Sequence, residues 1–312
     1  MQGTQKMYVV PESTLPEQLE SIFLSAQFRF PCSSLFTMRV STGFLSASLL
    51  LGLVACDAAK QATEATSSTT TAPSGASAAI EKNGLRLTPF YDSPKYPTAQ
   101  LRLSTPPAGS TVPSGAVPFK YELTNFQLTK MTGSMHSEEM ANSMKGQHIH
   151  NIVDNEPYTA HYETSFTKNI VDGHHVVLSF LSRSYHESLK HRGAYDLRII
   201  TVGKVAPGTP VPTFDLKAPH LFYSRPKDVY SGKDTQKVML DFYLVNATLE
   251  PGGTQVRATI NGNEFMLDQW APYMMEGLPM GENTVKLELV DSDGKLIPGP
   301  FNSVTRTFSL QP

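Results

Sequence analysis

Short runs of alternating or continuous apolar residues, each bounded by turn residues, recur from residue 99 to the end of the chain. Runs of this length and period predict β-strands, and their regular spacing is typical of β-sandwiches. A first set of predicted strands covers 99–103, 117–123, 148–153, 175–181 and 197–202. A second set covers 221–224, 238–244, 255–260, 284–290 and 304–310. The pattern therefore predicts an all-β fold made of two tandem immunoglobulin-like β-sandwich domains.

The link GKVAPGTPVPTF between the two sets is rich in Pro and Gly, which predicts a domain boundary. We accordingly place a His-rich β-sandwich domain at 85–203, a linker at 204–214 and a second β-sandwich domain at 215–312.

The segment MRVSTGFLSASLLLGLVAC, which ends at Cys56, has the order of features of a secretory signal. A basic residue precedes a short apolar run, and small residues precede the cysteine. The run is shorter than the about 20 apolar residues that cross a bilayer. The end, Leu53-Val54-Ala55-Cys56, resembles the lipobox of bacterial lipoproteins. That resemblance implies cleavage before Cys56, lipidation of its sulfur with palmitate-type chains, and anchoring in the lipid bilayer of the cell envelope, on its periplasmic or cell-surface face.

The regions around this signal follow from it. Residues 1–37 are expected to be a mis-started extension, with translation beginning at Met38, and residues 38–55 are the predicted lipoprotein signal peptide. Residues 56–84 comprise the lipidated cysteine and a Ser-, Thr- and Ala-rich tether that is expected to be disordered, because it has too few large apolar residues to form a core.

Charge and motifs narrow the classes of function. The net charge of −2 gives no basic footprint for nucleic acid. Cys32 falls in the expected extension and Cys56 carries the lipid, so the mature chain has no disulfide to form. The sequence contains no nucleophile elbow and no HExxH motif, and we assign no catalytic residue. An enzyme is therefore less favoured than a binding protein.

Histidines are concentrated in the first domain, where eight of the nine lie between residues 136 and 191. The segment HIHNIVDNEPY (148–158) aligns without a gap with QVRATINGNEF (255–265), whose alternate residues from Val256 on are apolar. By analogy, His148 and His150 are expected on the solvent face of their strand, about 7 Å apart. Three interpretations stay open: a zinc or copper site, a polar binding face and a solvated sheet surface. The possible third ligands are His136, His161, His174, His175 and His186.

Two neighbouring segments offer further chemistry. Met131, Met135, Met140 and Met144 precede the histidine pair. They are interpreted as soft copper ligands, as a partner-binding surface, or as a short helix on which Met140 and Met144 pack as one face. Ser184 and Glu187 have capping-box spacing, which predicts helical turns over 185–192. Those turns would either gather basic side chains into an anion site or remain solvated.

The segments KGQHIHNIVDNEPY and GHHVVLSFLSRSYHESLKH together resemble a group of uncharacterised lipoproteins of Bacteroidota-type bacteria, some of which are labelled phosphopeptide-binding proteins. The resemblance implies a binding role for the matching positions. Besides Gly146, Ser182 and Ser188, these positions are the predicted binding residues Gln147, His148, His150, Asp154, Asn155, Tyr158, Arg183, His186 and Glu187. Within this set, the metal ligands are predicted to be His148, His150 and His186.

Three functional hypotheses follow. The first is a membrane-anchored lipoprotein that binds a metal, a small anion, a peptide or a protein through the His-rich face. The second is a structural or adhesive spacer module. The third is a metal-dependent enzyme that uses the same histidines.

Overall fold

The computed structural model describes residues 78–206 and 214–312. The predicted signal, Cys56 and most of the tether and linker lie outside these residues. No helix within the described ranges is long and apolar enough to cross a membrane.

The strands before the linker are β1 (Ile80–Lys82), β2 (Leu85–Pro89), β3 (Gln100–Thr105), β4 (Thr111–Val112), β5 (Gly115–Thr124), β6 (His148–Val153), β7 (Thr159–His161), β8 (Ser165–Ile170), β9 (Gly173–Ser182) and β10 (Tyr195–Val202). The strands after it are β11 (His220–Arg225), β12 (Val229–Ser231), β13 (Val238–Val245), β14 (Gln255–Ile260), β15 (Asn263–Leu267), β16 (Tyr273–Glu276), β17 (Gly281–Val290) and β18 (Ser303–Gln311).

Helical structure in the described ranges is confined to a few short turns. One α-helix, α1, spans His136–Glu139, and 3₁₀ turns span Arg192–Ala194 and Gly232–Thr235. The fold is all-β, with immunoglobulin-like β-sandwiches, as the sequence predicts.

The first sandwich consists of a five-stranded sheet, β4-β10-β9-β6-β7, and a three-stranded sheet, β3-β5-β8. Alternate apolar residues from both sheets meet in one core, which includes Val117, Phe119, Ile149, Val177 and Leu181. Strand side chains point alternately to the two faces of a sheet, so this core uses one face of β6 and β9 and leaves the other face to be covered.

The second sandwich repeats this plan. Its sheet β12-β18-β17-β14-β15 has the same strand order and the same parallel edge pair as β4-β10-β9-β6-β7 in the first sandwich. Strand β14 occupies the place of β6, in agreement with the alignment of 148–158 with 255–265. Val256, Ala258 and Ile260 of β14 are fully buried, as that alignment predicts. The two halves of the chain therefore share one sheet architecture and can be compared as modules.

The remaining sheet, β1-β2-β16-β13-β11, completes the second sandwich. Its strands β1 and β2 come from the start of the described chain, before the first sandwich begins. Leu87 of β2 pairs with Met275 of β16, and both side chains lie in the core of the second sandwich. Ile80–Lys82, near the end of the tether predicted over 56–84, form β1 and pair with β2, so this part of the tether is ordered. Leu85–Pro89, which the sequence places in the first domain, pairs with β16 of the second sandwich.

The two sandwiches pack sheet against sheet. Val176, Leu178 and Phe180 of β9 form one apolar cluster with Phe222 of β11 and Tyr243 of β13. The ring centroids of Phe180 and Tyr243 lie 4.6 Å apart with nearly parallel planes. Strands β6, β9, β11 and β13 are therefore covered on both faces, which explains the nearly continuous burial along each of them.

Candidate metal centre

Strand β6 directs His148 and His150 to the face opposite its core residues. Ile149 and Val153 point into the core of the first sandwich, so the predicted alternation of faces along β6 is confirmed. The prediction that the two imidazoles are exposed is wrong, because both side chains are fully buried. Their face of the sheet is covered by the second sandwich and by the loop that follows β9.

That loop brings His186 to the pair. The helical turns predicted for 185–192 do not form, because His186 has a φ of +71°, which is incompatible with a right-handed helix. The chain instead makes a tight reversal, in which the Arg183 N–H donates to the Glu187 carbonyl and the Leu189 N–H donates to the Leu181 carbonyl. The side chain of His186 is thereby placed over the end of β6.

Three imidazole nitrogens converge at this point. Nε2 of His148 lies 2.8 Å from Nε2 of His150 and 3.0 Å from Nδ1 of His186. His148 and His150 are buried, and His186 is half-buried, so the cluster approaches solvent on the His186 side. The structure therefore brings together the three residues predicted as metal ligands.

The protonation of His148 follows from its surroundings. Its Nδ1 lies 2.8 Å from the carbonyl oxygen of Gly146, which only accepts, so Nδ1 carries the proton. Nε2 of the neutral ring then has one lone pair, directed at two other imidazole nitrogens. One lone pair accepts one good hydrogen bond, whereas a bound cation would accept lone pairs from all three rings.

Burial keeps the cluster neutral. It lowers the pKa of His148 to about 4 and lowers the pKa of both His150 and His186 well below the usual value. Coulombic repulsion within the cluster and from Arg225 adds to this effect on His150 and His186. Neutral imidazole is the form that binds metal ions.

Aromatic rings and cationic side chains surround the histidines. The Tyr158 ring stacks on His150 with centroids 3.6 Å apart, and Phe180 meets His150 edge-on at 5.1 Å. Arg225 Nε donates to the Tyr158 hydroxyl at 2.8 Å, and Lys227 Nζ lies 4.7 Å from the Tyr158 ring centroid. Both cations belong to the second sandwich.

Gln147 and Arg183, which are predicted to bind a ligand, both have hydrogen-bond partners within the fold. The Gln147 amide is buried and bonds to Tyr96, Thr132 and the Gln127 carbonyl. Arg183 pairs with Glu187 at 3.0 Å, and both side chains are buried.

Asp154 and Asn155, also in the predicted binding set, form the turn after β6. Asp154 accepts hydrogen bonds from His175 and from the Val176 N–H. Asn155 accepts one from the Tyr223 N–H and so links the two halves of the chain. The backbone of both residues has positive φ, and the polar side chains suit that conformation.

The other possible third ligands lie apart from the cluster and are engaged elsewhere. His136 contacts Asp92, His161 stacks on Phe166, His174 contacts Thr201, and His175 contacts Asp154. The methionines do not form the single packing face considered for them, because Met140 is 2% exposed and Met144 is 87% exposed.

Sequence reasoning missed Arg225 and Lys227. They lie 67 or more positions after Tyr158 and in the other module, and neither belongs to a motif. The only signal in the sequence was that both follow the strand predicted over 221–224, without any indication that this strand faces β6.

No protein-family model matches the chain, and no curated protein matches it. Among solved structures, the chain is similar to the fibronectin(III)-like modules of Clostridium thermocellum CbhA, at 8% identity over 68% of this chain and 94% of that one, with a TM-score of 0.24. It is also similar to the central fibronectin-III array of RIM-binding protein, at 11% identity over 68% and 67% of the two chains and a TM-score of 0.21. Domains 4 and 5 of the S-layer protein SbsC match at 12% identity over 68% and 96%, with a TM-score of 0.18. These scores are too low to support an argument about function.

Three neutral imidazoles that converge beside solvent are a recognised set of donors for a transition metal ion. Zinc and copper both accept three histidine nitrogens and keep a further position for another ligand. Only His148 has the second-nitrogen hydrogen bond that commonly orients a ligating histidine, to the Gly146 carbonyl. His150 is held by the Tyr158 stack, and its Nδ1 is buried without a hydrogen-bond partner within the described residues.

Proposed function

We propose that this protein binds one zinc or copper ion through His148, His150 and His186. The observation that carries the proposal is the convergence of the three ring nitrogens, with His148 Nε2 2.8 Å and 3.0 Å from the other two. In a hydrogen-bonded cluster the single lone pair of His148 Nε2 would have to accept from two imidazoles at once, whereas a metal ion would accept one lone pair from each ring.

The donor set favours a borderline transition metal. Imidazole nitrogen suits zinc and copper, whereas calcium and magnesium require oxygen ligands. No carboxylate belongs to the cluster within the described residues. Zn²⁺ and Cu²⁺ are therefore the ions to test.

The test is metal stoichiometry by equilibrium dialysis and mass spectrometry of the purified protein, after removal of bound metal with a chelator. We expect about one ion per chain. At a free metal concentration 100 times the Kd, binding adds about 2.7 kcal/mol to the free energy of unfolding. For a chain of this size the melting temperature then rises by about 5–10 °C.

Variants separate ligation from folding. His148→Ala and His186→Ala are each expected to weaken metal binding by more than about 100-fold, since loss of even a supporting residue costs 10- to 100-fold. His174→Ala, which removes a half-buried imidazole at the far end of β9, is the matched control and keeps full affinity. Circular dichroism and urea unfolding of the metal-free proteins check that each variant folds. Equal metal uptake by all variants would refute the proposal.

We also propose that the protein is an exported lipoprotein, anchored through Cys56, whose sandwiches hold the centre outside the membrane. The support is the lipobox-like sequence alone, and globomycin-sensitive processing with labelled palmitate incorporation, lost in Cys56→Ala, is the test. A second candidate function is a spacer or adhesive module. It is favoured by the two packed sandwiches, and it would stand if the purified protein took up no metal.

A further inference from the structure

Arg225 carries a positive charge that is buried near the proposed metal centre and is not paired with a carboxylate in the described part of the chain. Its side chain is buried, with the residue 8% exposed. Its hydrogen bonds go to the hydroxyls of Tyr158 and Tyr230, at 2.8 Å and 2.9 Å, and Nη2 has no acceptor within the described residues. No carboxylate in the described part of the chain forms an ion pair with it.

A buried guanidinium without a carboxylate is unusual, because an unpaired buried charge is costly. The rings of Tyr158 and Tyr230 each lie 5.7 Å from its central carbon and offset part of that cost through their π-faces. Burial raises the pKa of the Tyr158 phenol, however, so this hydroxyl offers Arg225 no negative charge. The positive charge of Arg225 therefore has no negative partner within the described structure.

The same charge lies beside the three histidines. The Tyr158 hydroxyl, which accepts from Arg225, lies 3.4 Å from Nδ1 of His186. Lys227 adds a second cation, an ammonium that is paired with the exposed carboxylate of Asp228 at 2.6 Å. A divalent ion held by three neutral imidazoles would thus be placed close to a cation, with no buried anion to balance either charge.

We infer that the centre binds a small oxyanion together with its metal ion. The anion would occupy the metal position left open by the three histidines and would accept hydrogen bonds from Arg225, with Lys227 at the rim. This inference rests on the proposed metal site. It assigns the ligand a chemical class, a small carboxylate or phosphate, because a planar guanidinium matches those oxygens better than any neutral ligand.

The position of the open side agrees with this assignment. His186 is the half-buried member of the cluster, and the Lys227 side chain is 23% exposed, so the partly exposed groups near the cluster are one imidazole and one cation. The rings of Tyr158 and Tyr162 pack against His150 and His148, with centroids 3.6 Å and 5.1 Å apart.

The experiment uses azide as a reporter on the Cu²⁺-loaded protein, because azide bound to Cu²⁺ gives a charge-transfer absorption band. We expect the band to appear on titration with azide and to disappear on addition of acetate or inorganic phosphate. The more effective competitor identifies the anion as a carboxylate or a phosphate.

Substitution of Arg225 and of Lys227 tests whether these two cations contribute to anion binding. Lys227→Gln is expected to weaken azide binding about threefold, as for a partly exposed charge, and Arg225→Lys about tenfold. Lys217→Gln, which removes an exposed lysine elsewhere in the second module, is the control and should have no effect. Copper stoichiometry should stay at one ion per chain in Lys227→Gln. This variant is informative even if Arg225→Lys fails to fold, because it changes a partly exposed side chain and not a buried one.

Each result has one meaning. Stoichiometric copper without an azide band would overturn the anion inference and leave the metal proposal intact. An azide affinity unchanged in both cation variants would also overturn it. Absence of metal uptake would overturn both, and calorimetric binding of phosphate to the metal-free protein would then show an anion site that needs no metal.

Discussion

The ring of Tyr158 lies parallel to that of His150, with centroids 3.6 Å apart and planes 12° apart, and its hydroxyl accepts a hydrogen bond from the buried guanidinium of Arg225. Tyr158 thus contacts His150, a candidate metal ligand of the first module, and Arg225, a cation of the second module. Its ring and its hydroxyl have separate roles that substitution can distinguish.

We predict that Tyr158→Phe keeps the stack and loses only the hydroxyl. The Nε–H of Arg225 is then left without its acceptor, and the free energy of unfolding should fall by about 1–3 kcal/mol. Urea unfolding of the metal-free protein measures this. Tyr158→Leu should lower stability further, because it also removes the ring from His150. Equal stability of Tyr158→Phe and the wild type would show that Arg225 does not depend on this hydroxyl.

Arg183 and Glu187 form a buried ion pair beneath the reversal that carries His186. Glu187 also bonds to Ser93, which comes from a distant part of the chain. Glu187→Gln leaves the buried guanidinium without its counter-charge and should lower the free energy of unfolding by about 3–5 kcal/mol. Glu163→Gln, at an exposed position, is the control and should change stability by less than about 0.5 kcal/mol. A neutral result for Glu187→Gln would show that water compensates Arg183.

His175 gives the protein a pH-dependent contribution to stability. Its Nδ1 lies 2.6 Å from Asp154 and its Nε2 lies 2.9 Å from the Val171 carbonyl, so both ring nitrogens face acceptors. The hydrogen bond with Asp154 raises the pKa of His175, against the opposing effect of burial.

The sign follows from that raised pKa. The folded state binds the proton more tightly than the unfolded state, so the stabilisation is fully present below the unfolded value of about 6.5 and is lost as pH rises through the folded pKa. We predict that the wild type loses more stability than His175→Gln between about pH 6 and pH 8.5. Parallel unfolding curves for the two proteins across that range would contradict this.

The apolar contact between the modules is predicted to carry much of the stability. Phe222 is fully buried between the two sandwiches, and Phe222→Ala should lower the free energy of unfolding by about 3–5 kcal/mol. Val229→Ala, which shortens a 55% exposed side chain in the same module, should be nearly neutral. A loss below about 1 kcal/mol for Phe222→Ala would mean that the interface relaxes to fill the space.

Much of this fold follows from local pattern. The period-two alternation in β14 and the alignment of 255–265 with 148–158 correctly assign the faces of β6. The sequence does not reveal that the second module covers the outer face of β6, because sheet-on-sheet packing depends on residues more than 60 positions away. An outward face with two histidines therefore looks solvated when it is buried.

The capping-box spacing of Ser184 and Glu187 led to a wrong prediction of helical turns over 185–192, again because contacts with distant residues determine the structure. The same spacing occurs in a helix start and in a tight reversal, and local sequence does not separate the two. The reversal forms because the Glu187 carboxylate pairs with Arg183 and accepts a hydrogen bond from Ser93, 94 positions away, and so does not cap a helix N-terminus. The residue types of the candidate site were predictable, whereas the cations that surround it were not.

Because the face that bears the histidines is closed by the neighbouring module, the candidate centre belongs to the pair and to neither half alone. A fragment cut within 204–214 would carry all three imidazoles, yet Phe180 and its apolar neighbours would face water and Arg225 would be missing. Transplanting the candidate centre into another protein therefore requires both sandwiches together, including the strands that precede the first one.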